Sequence, residues 1–369
     1  MAHSERYGGI TVLTKMADID AAAHDTETFT SRWVFINEVP TDRPGLVLPP
    51  LNLDPPEHTD RRRMLLPYFT PGSMAAWEQP IREICRDLLA ELDARTECDA
   101  AVDYAQEVPG RLTALMLGVP VDEAPQFRLW IHELLELGPN NADLARATTE
   151  IVLDYLIGRR RSEQHEGRDL VSYLFDQELD GGPVTDDEMA RTLFLLLLAG
   201  IDTTWSAIGF SLLHLGTHPE DRERLVDEPA LIPTAVEEFL RAYSPVSVAR
   251  IATADTEVGG CPVPAGDWTL LAFGSANRDE TEFDRAEQVL VDRTVNRHAA
   301  FGLGVRRCLG SNLARMEMTI AIEAWLDRYP DFEVTDPGTV TYAGGVVRGP
   351  RSIPVQLVGG GLSGHDAGG

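Results

Sequence analysis

The chain has 369 residues, 43% of them hydrophobic and 25% charged, which is ordinary for a globular protein and enough to bury a sizeable core. Its formal net charge of −27 excludes the broad basic surface that a nucleic-acid partner requires. The four cysteines Cys85, Cys98, Cys261 and Cys308 show no paired metal spacing and fit a reducing cytoplasm better than a secreted disulfide framework, and the polar start Met1–Gly9, without an apolar core, reads as neither a signal peptide nor a membrane anchor.

Gly9 to Asp18 reads as a short strand pair built on Ile10, Val12 and Leu13, with a helix from about Met16 to Ala23. Trp33 to Leu53 is loop-like, rich in Pro and Gly, with apolar residues in no helical period. Pro55 and Pro56 open the next helix, where their missing N–H groups cost nothing, and His58 and Arg62, four apart, share one of its faces. From Pro80 to Gly158 amphipathic helical runs alternate with breaks at Pro109, Pro120 and Gly138-Pro139, and Arg159 to Arg168 is a charged, solvated connector.

Thr185-Asp-Asp-Glu188 is a capping box that opens a helix running to about Thr217, before Pro219. At roughly 30 residues this helix is about 45 Å long. Its apolar stretch Leu193–Ile201 is too short to span a bilayer, so it crosses the protein core. Ala199-Gly200-Ile201-Asp202-Thr203-Thr204 then places glycine, an acid and two hydroxyls mid-helix, where Gly costs about 1 kcal/mol relative to Ala. Buried polar groups need partners, and such a lapse from the core pattern marks a candidate functional site. Glu238 and Arg241, three apart, share a helix face, and Ile251 to Leu271 reads as short strands turning at Gly259-Gly260 and Pro264-Ala265-Gly266.

Phe301 to Gly310 reads Phe-Gly-Leu-Gly-Val-Arg-Arg-Cys-Leu-Gly. Glycine lets something large approach the backbone, and two arginines with the start of the following helix favour a thiolate at Cys308. Beyond it Leu309, Leu313, Met316 and Ile320 recur at helical steps up to Pro330, and the glycine-rich tail 358–369 is expected to be disordered.

In register, Phe301, Gly304, Arg306, Cys308 and Gly310 match Phe-x-x-Gly-x-Arg/His-x-Cys-x-Gly, and the segment resembles the haem-binding loop of the cytochrome P450 family. The resemblance implies a mainly α fold with a small β portion, a long central helix crossing the haem, and residues 1–357 as one catalytic domain. It implies haem b ligated by Cys308, with propionates held by His58, Arg62, Arg250, His298 and Arg306, and contacts from Ala199, Gly200, Phe301, Gly302 and Gly310. Asp202 and Thr203 match the oxygen-activation motif, in which Gly200 leaves room for dioxygen. Val246, Ser247 and Val248 would line the substrate pocket, and the 33–53 loop would roof it. Glu238 and Arg241 match the structural Glu-x-x-Arg, but Gln288 stands where relatives often carry a third arginine, leaving Arg285 and Arg293 as candidate substitutes. Members of the family usually carry a further proline-rich segment and helix before the first strand, and the resemblance implies that this lead-in is short or absent here.

The activity implied is that of a soluble, bacterial-type, cytoplasmic monooxygenase. It inserts one oxygen atom from O2 into a small, largely apolar organic substrate. Its electrons come from NAD(P)H through an acidic ferredoxin or flavodoxin, docked near Arg306, Arg307, Arg315 and Arg63. A peroxide-dependent or oxidative-coupling enzyme on the same scaffold is the first alternative, and a non-catalytic haem sensor the second.

Overall fold

The computed structural model of the chain describes all residues except 6–8, 35, 37–46, 139–140, 162–167 and 359–369. The helices are α1 (Met16–His24), α2 (Glu57–Leu65), α3 (Pro71–Met74), α4 (Glu78–Leu92), α5 (Glu107–Met116), α6 (Ala124–Ile131) and α7 (Ala142–Arg161). They continue as α8 (Leu170–Phe175), α9 (Asp186–Thr217), α10 (Pro219–Asp227), α11 (Ile232–Tyr243), α12 (Phe273–Ala276) and α13 (Ser311–Arg328). The fourteen strands among the described residues are short, of two to five residues each. The largest sheet orders Ala2–Ser4, Ile10–Leu13, Trp268–Leu271, Val248–Ala252 and Phe29–Thr30. In it only Ile10–Leu13 and Trp268–Leu271 run parallel.

The expected strand pair between Gly9 and Asp18 is a single strand, because α1 begins at Met16 and Ile10–Leu13 takes Ala2–Ser4 as its antiparallel partner. Pro109 does not break the helical run. It lies in the first turn of α5, where no N–H is missed, and a π-helix at Ala100–Ala105 leads into it. In the Arg159–Arg168 connector, α7 extends to Arg161, and Arg159 donates to the Gly118 carbonyl instead of lying in solvent. The 33–53 loop falls largely outside the described residues. So does the tail, except that Val358 closes the strand Pro354–Val358.

The N-terminal capping box of α9 is half made. Thr185 accepts the Glu188 N–H at 3.2 Å, but the Glu188 carboxylate turns to Arg61 Nε at 3.0 Å and ties α9 to α2. By length and composition alone this 32-residue helix could cross a membrane, so its apolar window is wider than Leu193–Ile201. It runs instead through the interior, where Leu193, Phe194, Leu197, Ile201, Ile208, Leu212 and Leu215 are buried against α5, α7, α11 and α13.

Glu238 and Arg241 on α11 are both fully buried. Arg241 Nε and Nη2 donate to the two Glu238 oxygens at 2.8 Å, and its guanidinium also reaches the carbonyls of Asn277, Ala286 and Gln288 at 2.7 Å. The third member of this network is Arg293, whose Nε meets Glu238 Oε2 at 2.9 Å, joined by the Leu290 N–H and Asn296. Gln288 contributes only its backbone carbonyl, and the Arg285 side chain lies on the surface beside Asp284. The network pins the irregular 277–296 segment, which leads into the Cys308 loop.

On α13 the inner face includes Leu313, Met318, Ile320, Ala321 and Trp325, whereas Met316 is only half-buried. Glu317 is 3% exposed on the same helix, with Oε2 unpartnered, and burial pushes its carboxyl up to about 8 from an ordinary 4.5. Between those values the unfolded chain binds fewer protons, so this group's contribution to stability is fully present at low pH and is lost as pH rises through about 8. Glu317→Gln is therefore expected to match wild type in thermal midpoint near pH 5 and exceed it at pH 8.5. An equal difference at both pH values would exclude a protonated carboxyl.

Candidate active site

Two glycines shape the Cys308 loop. Gly302 and Gly304 have φ of 69° and 66°, and a Cβ at Gly304 would lie 2.7 Å from the Ala23 carbonyl oxygen. The Cys308 N–H donates to the Phe301 carbonyl at 2.8 Å, and α13 starts three residues later. Cys308 lies among many protein atoms yet is accessible from one side. Burial raises its thiol above the ordinary 9, while the Gly310 amide, Arg62, Arg307 and Arg315 act in the opposite direction. The arginines and the helix start expected to favour a thiolate are thus in place, but burial outweighs them. A bound cation would reverse the balance, since a coordinating thiol is deprotonated outright.

A cluster of cations stands near the loop. His58 is 3% exposed with Nδ1 unpartnered, and burial, followed by Arg306, Arg62 and Arg250, pushes it down to about 4. Arg250, 5% exposed, donates to the Ala249 carbonyl and is lowered to about 9 by burial and by Arg306. Arg306 Nη2 reaches the Leu53 carbonyl at 2.6 Å and Asp54 Oδ1 at 2.8 Å, while its buried Nε has no partner. Arg62 Nη2 donates to the Arg307 carbonyl at 2.6 Å. The carboxylate acting on these cations is Asp54, so positive charge is in excess where desolvation is costly. Two carboxylates of a cofactor would satisfy the orphaned donors with charge-assisted bonds.

His298 does not join this cluster. Its Nε2 is 3.1 Å from Glu237 Oε2 on α11, and its Nδ1 accepts the Ala300 N–H at 3.2 Å, so both ring nitrogens are used by the protein. Glu237 also takes both arms of Arg315, which lies over the Phe301 ring. Of the four arginines expected on the docking surface, Arg315 is thus held against Glu237, and the Arg306 side chain is buried in the cation cluster. Arg307 and Arg63 remain exposed.

Halfway along α9 the packing opens. Ala199 is exposed, and Leu195, Leu196, Gly200 and Thr203 are half-buried, forming an accessible stripe on a core helix. A Cβ at Gly200 would lie 3.3 Å from Thr113 Oγ1 on α5. The Thr203 hydroxyl donates to the Ala199 carbonyl at 2.8 Å, which leaves its oxygen free to accept. Asp202 faces away from the stripe, 2% exposed, with Oδ1 2.6 Å from Arg351 Nη2. Burial pushes its carboxyl up to about 6, opposed by Arg351 and assisted by Glu136. Val246, Ser247 and Val248 are half-buried where the chain enters the main sheet, with Val246 bridged to Val347.

Sequence reasoning missed Arg351, Glu136 and Asp54. Asp54 directly precedes the Pro55-Pro56 helix entry and could have been noticed as an acid beside His58. Nothing local marks Arg351 or Glu136, which tertiary structure alone brings to Asp202.

The profile of the family described as Cytochrome P450 matches residues 143–356. The chain belongs to the cytochrome P450 family. Polyketide biosynthesis cytochrome P450 PksS of Bacillus subtilis is 34% identical over 311 residues, covering 82% of this chain and 76% of that protein. Mycinamicin IV hydroxylase/epoxidase of Micromonospora griseorubida is 33% identical over 355 residues, covering 93% of this chain and 88% of its own length. Among solved structures, a mutant of P450 EryK in complex with erythromycin B aligns with a TM-score of 0.85 at 32% identity, covering 96% of this chain and 92% of that one. The chain is therefore a P450 monooxygenase with the P450 fold, the helix α9 being its long central helix, and its cofactor is haem b. The glycine-lined loop, the accessible thiol and the under-neutralised cations fit that cofactor.

Proposed function

We propose that this P450 inserts one oxygen atom from O2 into a small, largely apolar organic molecule, using electrons from NAD(P)H delivered by a separate acidic ferredoxin or flavodoxin. In this reading residues 1–357 act as one soluble, cytoplasmic catalytic domain. Cys308 would supply the thiolate ligand, with Phe301, Gly302 and Gly310 around it, and His58, Arg62, Arg250 and Arg306 would hold the propionates. Thiolate-ligated haem supplies O2 binding and O–O cleavage.

The observation that carries the proposal is the pairing of Thr203 on the accessible stripe with a buried acid beside it whose pKa is about 6. General acids are most effective with pKa values near the working pH. Asp202 delivers protons, and the Thr203 hydroxyl holds the group that receives them. Ala199 and Gly200 leave room at the helix surface, and half-buried Val246, Ser247 and Val248 offer the substrate mostly apolar contacts. The intact acid and hydroxyl favour the O2 route over a peroxide-dependent one. Exposed Arg307 and Arg63 give an acidic donor a local positive surface on a chain of net charge −27, an attraction that salt would screen over about 8 Å.

The test begins with a spectral titration of the ferric protein with a compound library, to find a ligand that displaces water from the iron. With that ligand, Thr203→Ala should retain haem and still consume NAD(P)H, but release hydrogen peroxide in place of product. Full coupling in Thr203→Ala, or wild-type turnover with peroxide and never with reductant, would overturn the proposal.

A further inference from the structure

Asp202 is held from a part of the chain that carries no catalytic motif. The strand Gly349–Ser352 lies flat on α9: a Cβ at Gly349 would meet Ser206 Oγ at 2.3 Å, and one at Gly209 would meet Pro350 Cγ at 3.0 Å. This close contact delivers Arg351, whose guanidinium sits 4.1 Å from the Trp205 ring centre and donates to Ser206 Oγ at 3.1 Å. Its other two bonds go to carboxylates, Nη2 to Asp202 at 2.6 Å and Nε to Glu136 Oε1 at 2.7 Å. Glu136 belongs to the π-helix His132–Leu137 between α6 and α7, and its second oxygen lies 3.2 Å from the exposed His132 ring. Single π-helical turns are frequent at functional sites.

We propose that Arg351 is a positioning residue that sets when Asp202 holds its proton, and that Glu136 makes this setting depend on the placement of the 132–137 segment. This rests on the proton-delivery role proposed above for Asp202. One cation is shared between two acids, so whatever moves Glu136 off Arg351 changes the charge that Asp202 meets. The charged groups acting on Asp202 are Arg351 and Glu136, with His132 bearing on it through Glu136. Their effects have opposite sign: the cation favours the carboxylate, and the neighbouring acid favours the protonated form.

The protonated carboxyl stretch that disappears in Asp202→Asn, followed by difference infrared spectroscopy of the ferric holoprotein against pH, reads the Asp202 midpoint without substrate. Wild type should titrate near pH 6. Arg351→Gln should move the midpoint up by about one pH unit or more, Arg351→Lys should return it most of the way, and Glu136→Gln should move it down. These opposite shifts would not arise from loosened packing. An unmoved midpoint in Arg351→Gln, or shifts of the same sign in Arg351→Gln and Glu136→Gln, would overturn the inference while a slow Asp202→Asn enzyme left the proton-delivery reading standing. An Asp202→Asn enzyme as fast as wild type would overturn the proton-delivery reading itself.

Discussion

Glu238→Gln is expected to lower the free energy of unfolding by about 3–5 kcal/mol, because removing one partner of a buried ion pair strands the other. Glu238 receives Arg241 through both oxygens, Arg293, Asn296 and the Leu290 amide, and Arg241 is completely enclosed. A glutamine of the same shape leaves two buried guanidinium groups without their anion. Set against a typical net stability of about 5–15 kcal/mol, that loss is large enough to free the 277–296 segment and with it the Cys308 loop. Urea unfolding of the holoprotein measures it, and haem content of the purified variant should fall as well. A change below about 1 kcal/mol would show that the backbone carbonyls around Arg241 suffice without the carboxylate.

The second large effect is on turnover. Asp202→Asn should cut oxygen-dependent product formation by ~10²-fold or more, within the range that a positioned acid contributes, while haem binding stays intact. The amide keeps one hydrogen-bonding oxygen for Arg351 but carries no transferable proton. The sign of the pH dependence follows from a carboxyl raised to about 6: its acid form is filled below that value and empties as pH rises through it. Where proton delivery limits the wild-type rate, that rate should fall with rising pH, and in Asp202→Asn this limb should be absent. Steady-state rates between pH 5 and 8, with a solvent deuterium isotope effect at each, measure both. An Asp202→Asn enzyme that kept the wild-type pH profile would exclude the carboxyl as donor.

Groups whose partners lie nearby in the chain are legible in the amino-acid sequence itself. The Cys308 loop, the Ala199 to Thr204 break and the Glu238–Arg241 spacing each carry their geometry within a few residues, and the long helix α9 is marked by its capping threonine and apolar run. Where a side chain has a choice of partner, the choice depends on distant segments. Glu188 could close the capping box but meets Arg61. His298 stands three residues before Phe301 but bonds Glu237 from α11. Arg293 takes the place offered by Gln288 because it approaches Glu238 from the far end of the same segment. Asp202 and Arg351 meet only because two glycines let a C-terminal strand lie directly on α9.

The proposed chemistry depends on Cys308 presenting a thiolate to haem iron. The absorption spectrum of the reduced, carbon monoxide-bound protein tests it most directly, read beside that of Cys308→His. Wild type should show the strongly red-shifted Soret band of thiolate ligation and Cys308→His should lose it, with haem retained in both. A wild-type band at the unshifted position of histidine-ligated haem, or a red-shifted band that persists in Cys308→His, would contradict it.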